Sequence, residues 1–282
     1  MANTANTTPI ATEETNLLYV SIAAVVGFAI FTINSFTLTL MFYYKQMKDN
    51  HNLHLANLML SDAMSGVALG ITFLELAGNE CLFGTALYTA FIFVWSIASS
   101  WQTLVMSVDR LISVQFALTY YTIMTPVKIK LLISAVWILS LIEAAVLSFG
   151  QHCSGYREFI YLTYAVNMLI VFCANTCIYA QLWRVARRQT RQIIAQLQQQ
   201  QQQTAVVDKA TIMVIVIVLM NGVCWAPYVI AQIIYTFANI SSQVITVVLL
   251  GYMNSFLNCI VYVYMNKTLK SKIGKALKCI TR

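Results

Sequence analysis

Seven long stretches of the chain carry almost no charged residues. They cover residues 17–44, 52–78, 82–114, 129–150, 159–183, 210–238 and 242–264. About 20 apolar residues let a helix cross a hydrocarbon core of roughly 30 Å, because a helix rises about 1.5 Å per residue. Only helices and closed barrels can span lipid, and barrel strands need only about 9–11 residues. The sequence therefore predicts an all-α membrane protein, a bundle of seven transmembrane helices called spans 1 to 7 in chain order.

Composition supports the same fold class. Charged residues make up 10% of the chain and hydrophobic residues 59%, whereas a soluble domain carries about 25% charged residues because its surface faces water. The formal net charge is +7. Because the basic residues flank the spans, we assign this charge to membrane lipids and cytoplasmic partners, and expect no nucleic acid among the partners.

Lysine and arginine residues fall on one side of the predicted bundle. Sixteen of the 17 lie around the segments that follow spans 1, 3, 5 and 7, and Arg157 is the exception. The positive-inside rule predicts that these segments are cytoplasmic and that the N-terminus is outside. We therefore expect an extracellular tail (1–16), a seven-span domain (17–264) and a cytoplasmic segment (265–282).

The two sides of the membrane carry different candidate modification sites. The cytoplasmic sequence MNKTLKSKIGKALKC predicts a short amphipathic helix on the anionic inner leaflet, with Cys279 as a candidate palmitoylation site. On the outer side, Asn6 and Asn239 lie in glycosylation sequons. Cys81 and Cys153 lie in outer loops, where an oxidising compartment allows a disulfide between them.

Polar side chains inside the spans are candidate functional sites, because placing them in lipid is costly. Asp62 lies in the middle of span 2. The others are Asn34, Ser99, Ser100, Asn254, Ser255 and Asn258. A carboxylate among neutral oxygen donors suits a small, hard cation. The alternative is a protonated Asp62 that only joins helices through hydrogen bonds to asparagine side chains, and the residues alone leave both readings open.

Short motifs in the spans carry a family resemblance. Asp109-Arg110-Leu111 ends span 3, Cys224-Trp225-Ala226-Pro227 lies in span 6, and Asn258-Cys259-Ile260-Val261-Tyr262 lies in span 7. They resemble the Asp-Arg-Tyr, Cys-Trp-x-Pro and Asn-Pro-x-x-Tyr motifs of rhodopsin-like (class A) G-protein-coupled receptors. Signature positions of spans 1, 2 and 4 are matched by Asn34, Leu58 with Asp62, and Trp137. The resemblance runs from about residue 17 to residue 279.

The resemblance implies a plasma-membrane receptor that binds an extracellular ligand and activates heterotrimeric G proteins, with arrestin as a further partner. It implies that Asp109 holds Arg110 at rest, and that released Arg110 faces the G protein. Tyr179 and Tyr262 are expected to line the same inner cavity. The resemblance also implies that Ser99, Asn254, Ser255 and Asn258 surround Asp62 and hold a sodium ion; no other cofactor is expected.

The activation switch is expected to differ from that of much of the family. Trp225, Pro227 and Asn258 match its usual positions. Ser100, Val171 and Asn221 stand where many members carry Ile, Pro and Phe. Two polar groups thus replace two apolar ones, and the packing must change accordingly.

The resemblance places a ligand pocket above Trp225. Its expected lining residues are Ile92, Trp95, Gln232 and Tyr252. Ile92 replaces the aspartate of amine receptors and Tyr252 the lysine of opsins, which disfavours an amine and excludes a Schiff-base chromophore. The region DRLISVQFALTYYTIMTPVK resembles melanocortin, lysophospholipid, cannabinoid and adenosine receptors, so the expected ligand is a nucleoside, lipid or peptide.

The position of one outer cysteine departs from the family pattern, and the glutamine-rich segment after span 5 has no counterpart in its motifs. Thr85 stands where the family's disulfide cysteine opens span 3, so Cys81 lies one turn early. The segment RQIIAQLQQQQQQ after span 5 either extends the helices or, as we expect, forms a solvated disordered loop.

Other functional classes remain as alternatives. We find no nucleophile elbow, phosphate loop or metal-spaced histidine cluster, so no enzyme is expected. A transporter should show repeats or broken helices in its two halves, which are not seen. A seven-helix protein with a structural or partner-binding role and no signalling is the remaining alternative.

Overall fold

The apolar stretches form helices in the computed structural model, which describes residues 9–46, 50–78, 85–151, 157–198, 220, 222–231, 233–234, 244–265 and 271. The helices are α1 (Pro9–Tyr43), α2 (Asn50–Gly78), α3 (Thr85–Gln115), α4 (Tyr120–Ile123), α5 (Pro126–Gln151), α6 (Arg157–Gln198), α7 (Gly222–Ala231) and α8 (Val244–Met265). Within these ranges the regular structure is entirely helical.

Helix length and hydropathy identify membrane-crossing elements. Five helices of the described chain are long and apolar enough: Leu18–Tyr43, Asn52–Thr72, Ala86–Gln115, Pro126–Gly150 and Leu162–Val185. Shorter apolar helices, Gly222–Ala231 and Val248–Val261, lie where spans 6 and 7 are predicted. The chain is therefore a multi-pass, all-helical membrane protein.

One local prediction is wrong. Residues 191–198, which we expected in a disordered loop, continue α6 as far as Gln198. Gln, Arg, Leu and Ala have good helix propensity, and adding residues to an existing helix avoids the cost of nucleation. Residues 199–203, the rest of the glutamine run, lie outside the described part.

Several predicted features also lie outside the described residues. These are Asn6, Cys81, Cys153, Asn239 and Cys279, together with Asn221, Gln232 and nearly all of residues 266–282. They stay predictions from the sequence.

Helix α3 occupies the middle of the bundle, because it packs against α2, α5 and α6. Its middle turns carry small hydroxyl residues at the buried positions Ser96, Ser99, Ser100 and Thr103. Large apolar side chains on α1 and α5 instead point outward, as Phe28 and Leu131 do. In a membrane protein such outward apolar surface faces lipid. The hydroxyl groups of α3 instead face the interior of the bundle.

A glycine pair sets the distance between α1 and α2. A Cβ atom on Gly66 would lie 2.6 Å from the carbonyl oxygen of Gly27 and 2.8 Å from the amide nitrogen of Phe31. Both neighbours are backbone atoms, so they cannot rotate away as a side chain does. Small residues let membrane helices approach closely, and here they hold α1 beside the polar centre of α2.

We expect Gly66→Ala to destabilise the receptor, because the added methyl group forces α1 and α2 apart. Overpacking of this kind costs about 1–3 kcal/mol. The measurement is the thermal unfolding midpoint of purified protein in detergent. Gly70→Ala is the matched control, since its Cβ would have no heavy atom within 4 Å. Equal midpoints for the two variants would contradict the close packing.

Candidate functional site

A buried carboxylate lies at the centre of the bundle. Asp62 of α2 is 0% exposed. Ser99 of α3 donates a hydrogen bond to its Oδ1 at 2.5 Å, and Asn258 of α8 donates to its Oδ2 at 3.4 Å. Each oxygen of the carboxylate thus faces a donor from a different helix, so α2, α3 and α8 meet at Asp62.

Helix α1 joins the same centre through Asn34, which is also 0% exposed. Its amide donates to the carbonyl oxygens of Ser255 at 3.3 Å and of Ile30 at 2.9 Å. The side chain of Ser255 lies close to the Asp62 carboxylate. In the described chain, the Asn34 side-chain oxygen has no hydrogen-bond partner.

The donor set of this centre suits a small cation. It consists of one carboxylate, two serine hydroxyls and amide groups whose oxygens can turn inward, all of them hard oxygen ligands. The orphaned Asn34 oxygen is a further acceptor that lacks a donor. A cation beside Asp62 would also compensate a charge that is expensive to bury alone. The residues present therefore fit the sodium ion that the sequence suggested.

Asn254 is one of the five residues predicted to hold sodium. In the structure it lines a small cavity beside Trp225. The cavity walls are Ser100, Thr103, Met168, Val171, Phe172, Trp225 and Asn254. The Ser100 hydroxyl donates to the Ser96 carbonyl at 3.0 Å and to the sulfur of Met168 at 3.3 Å. Ser100 contributes to this space, because serine is smaller than the isoleucine that many family members carry at this position.

Trp225 begins a row of aromatic side chains that leads away from the cavity. Its ring meets that of Tyr228 at 6.1 Å, and Tyr228 meets Tyr164 of α6 at 5.8 Å, both edge to face. On its other side the Trp225 ring lies against Gly251 of α8, where a Cβ atom would approach to 3.3 Å. Movement of Trp225 would therefore disturb both α6 and α8.

The described ligand-pocket candidates lie on α3 and α8. Tyr252 is half-buried, and the hydroxyls of Tyr252 and Tyr164 both lie close to Ser96. Ile92 is half-buried on α3, one turn before Ser96. Trp95 packs edge-on against Trp137 of α5, with ring centroids 5.6 Å apart. The described contacts of Trp95 thus lie at the α3–α5 interface.

Trp137 also fixes α5 against α2. Its indole N–H donates to the side-chain oxygen of Asn57 at 3.3 Å. This contact explains structurally why a tryptophan suits the middle of span 4, since its ring packs and its N–H needs a partner.

The C-terminal end of α3 holds the Asp-Arg pair. Asp109 is 1% exposed, and its Oδ1 accepts a hydrogen bond from the hydroxyl of Tyr120 in α4 at 2.6 Å. Arg110 is half-buried beside it. The Tyr179 hydroxyl of α6 bonds to Ser107, one turn earlier on α3, at 2.8 Å. Tyr262 lies in α8, and its side chain is outside the described part.

Tyr120 is a residue that sequence reasoning missed. It follows Asp109 by 11 positions, across the turn that ends α3, and nothing in the sequence specifies that the chain folds back. Thr125 helps to set this geometry, because its hydroxyl accepts the Lys128 N–H at 3.4 Å where α5 begins with Pro126. Proline is favoured at the first turn of a helix.

We expect Tyr120→Phe to lower the thermal stability of the receptor, because the buried Asp109 carboxylate loses a short hydrogen bond. Leaving a buried acceptor short of a donor costs about 1–3 kcal/mol. Tyr121→Phe is the matched control, since Tyr121 is exposed. Unfolding midpoints measured in the same detergent check this, and identical midpoints for the two variants would rule out a structural role for the Tyr120 hydroxyl.

A second membrane carboxylate was also missed. Glu143 lies within the candidate span of α5 and accepts hydrogen bonds from Trp101 and Asn167. The sequence alone could have identified it, because any acidic residue inside a membrane span is a candidate functional site.

Comparison with known proteins agrees with this architecture. The model of the 7 transmembrane receptor (rhodopsin family) matches residues 33–262. The chain is 23% identical to human G-protein coupled receptor 12 over 258 residues, which cover 86% of this chain and 75% of that receptor. It is 22% identical to adenosine receptor A3 of Canis lupus familiaris, over 90% of this chain and 89% of that receptor. For adenosine receptor A3 of Ovis aries the identity is 22%, over 94% and 90%. Because the family model matches most of its length, the chain belongs to the rhodopsin family of G-protein-coupled receptors.

Proposed function

We propose that this receptor rests with a sodium ion beside Asp62 and that an extracellular agonist activates G proteins by displacing that ion. The observation that carries the proposal is the contact of the Asp62 carboxylate with Ser99 at 2.5 Å and with Asn258 at 3.4 Å. Three helices converge on one buried charge, so a movement of any of them changes its environment.

The chain's own residues supply a mechanism for this coupling. Asn34 ties α1 to the Ser255 carbonyl of α8, and Asn258 ties α8 to Asp62. A displacement of α8 would pull Asn258 and Ser255 away from the carboxylate and weaken cation binding. Because allosteric coupling is reciprocal, a ligand that favours the displaced state must bind more weakly when sodium is present.

The orientation we propose follows from the basic residues. The N-terminus is extracellular, the segments after spans 1, 3, 5 and 7 are cytoplasmic, and the receptor resides in the plasma membrane. Residues 265–282 form an amphipathic helix and tail on the inner leaflet. Arrestin is proposed as a second cytoplasmic partner.

Arg110 is proposed to contact the G protein. It is half-buried at the cytoplasmic end of α3, next to Asp109, whose carboxylate Tyr120 holds in place. Tyr179 is anchored to α3 through Ser107. Outward movement of α6 would break that bond and open a space beside Arg110. The Arg110 guanidinium then provides donors for carbonyl and carboxylate groups of the inserted G-protein segment.

The agonist is proposed to bind on the extracellular side of Trp225. Ile92 and Tyr252 contribute from α3 and α8, and the sequence adds Gln232. Two of the relatives are named adenosine receptors, so nucleosides are the first class to test. Lysolipids, endocannabinoids and melanocortin-like peptides complete the panel, because the sequence resembles receptors for each.

The direct test is nucleotide exchange on purified heterotrimeric G proteins by the full-length receptor in lipid nanodiscs. We expect one ligand class of the panel to accelerate exchange, and removal of sodium to raise exchange without ligand. A receptor that binds a panel ligand but never accelerates exchange on any G-protein class would favour the non-signalling alternative.

A further inference from the structure

A carboxylate unrelated to the Asp62 centre lies in the membrane-spanning part of α5. Glu143 belongs to the candidate span Pro126–Gly150, in the half nearer its extracellular end under the proposed orientation. An ionisable group at membrane depth is expensive to maintain and usually marks a functional site. Neither the ligand pocket nor the G-protein end of the bundle uses this residue.

Glu143 joins three helices through one of its two oxygens. Its Oε2 accepts hydrogen bonds from the Asn167 amide of α6 at 3.1 Å and from the Trp101 indole N–H of α3 at 3.5 Å. The second of these is longer than a typical N–H···O bond. The carboxylate is therefore held in a fixed place but is only partly satisfied.

Two acceptor atoms of this cluster lack donors within the described chain. The side-chain oxygen of Asn167 is buried and has no hydrogen-bond partner. The Oε1 oxygen of Glu143 likewise accepts no hydrogen bond from another described residue, since both recorded bonds end on Oε2. Unsatisfied acceptors in a low-dielectric setting are unfavourable. The cluster therefore calls for a group that donates hydrogen bonds.

The cluster opens towards lipid. On α5, Ile142 and Val146 next to Glu143 are exposed, and on α6, Val166 and Ile170 next to Asn167 are exposed as well. Exposed apolar side chains on membrane-spanning helices face hydrocarbon. Glu143 itself is half-buried. We call the strip between these exposed side chains of α5 and α6 the seam. A molecule dissolved in the bilayer can reach it with an apolar chain along α5 and α6.

We propose that Glu143 and Asn167 bind the headgroup of a membrane-dissolved amphiphile that donates hydrogen bonds, namely an ammonium or a hydroxyl group. Its donors satisfy Glu143 Oε1 and the Asn167 oxygen, and its apolar chain lies against the exposed side chains of the seam. An ammonium group also neutralises the carboxylate. A carboxylate headgroup is excluded, because it would bring a second negative charge and only acceptors.

Native mass spectrometry of the full-length receptor in detergent tests this proposal. The probes are hexadecylamine, hexadecanol and palmitate, which share a chain length and differ in headgroup. We expect one saturable site for the amine and the alcohol, and none for palmitate. Glu143→Gln should weaken the amine about tenfold, because a charge-assisted bond is lost, while the alcohol still finds an acceptor. Glu143→Leu should weaken both.

Ser140→Ala is the matched control. Ser140 is buried on the same helix and donates to the carbonyl of Val136 at 2.8 Å, so its loss should leave both affinities unchanged. Unaltered binding of amine and alcohol to both Glu143 variants would overturn the proposal, as would palmitate binding as tightly as the amine. The readout requires no G protein and no extracellular ligand, so its outcome is independent of the sodium proposal.

Discussion

Replacing Arg110 by alanine should reduce nucleotide exchange on the G protein almost to the rate seen without receptor. Arg110 stands near the C-terminal end of α3, beside the Asp109 carboxylate that Tyr120 fixes. Loss of one charged partner at a protein–protein contact costs about 2–5 kcal/mol, so G-protein affinity should fall by at least about thirtyfold. The fold should be kept, because the guanidinium contributes little to the core clusters.

The measurement compares wild type and Arg110→Ala in nanodiscs, with and without the most effective ligand of the panel. Lys130→Ala is the control, since it removes one positive charge from the same side at an exposed position of α5. Normal exchange by Arg110→Ala at equal receptor density would refute the role of Arg110, whereas equal losses in both variants would indicate a general charge effect.

Replacing Asp62 by asparagine should abolish the stabilisation of the receptor by sodium. A ligand that binds only the folded state at ten times its dissociation constant adds about 1.4 kcal/mol of stability, which raises the unfolding midpoint by about 3–5 °C in a protein of this size. The asparagine keeps the size of the side chain and one oxygen that accepts the Ser99 hydroxyl, and its NH2 group can donate to the Asn258 oxygen once that amide turns, but it removes the charge that the cation needs.

Unfolding midpoints are measured in sodium chloride and in N-methyl-D-glucamine chloride at the same ionic strength. Ser65→Ala serves as the control, because Ser65 is buried one turn along α2 and donates only to the Ser61 carbonyl of its own helix at 3.0 Å. Wild type and Ser65→Ala should respond to sodium, and Asp62→Asn should not. A sodium response that survives in Asp62→Asn would leave Asp62 as a residue that only joins helices.

Hydropathy was sufficient to predict the membrane-spanning helices, because the cost of exposing polar groups to lipid acts on every residue of a span. The predicted start of span 4 at residue 129 and the observed start at Pro126 differ by less than one turn. The extent of α6 was not predictable in this way. Its C-terminal part, up to Gln198, is polar, so only helix propensity governs it.

Contacts between helices depend on rotation and distance, which a single sequence does not contain. The family resemblance placed Ser99 and Asn258 near Asp62, and the structure brings these three together. It gave no indication of the bond between Tyr120 and Asp109, or of the carboxylate at Glu143. Nor did it indicate that Trp95, a predicted ligand-pocket residue, packs on Trp137. One step along α3 rotates a side chain by about 100°, so a small error in register changes its neighbours.

The most direct test of the sodium mechanism is the affinity of the receptor for its G protein in the two salts. The G protein favours the active state, so no agonist is required, and the linkage relation predicts weaker binding in sodium by at least about fivefold. The measurement uses nucleotide-free G protein and receptor nanodiscs at constant ionic strength. We expect this difference in wild type and its loss in Asp62→Asn; equal affinities of the wild-type receptor in sodium and in N-methyl-D-glucamine would contradict the account.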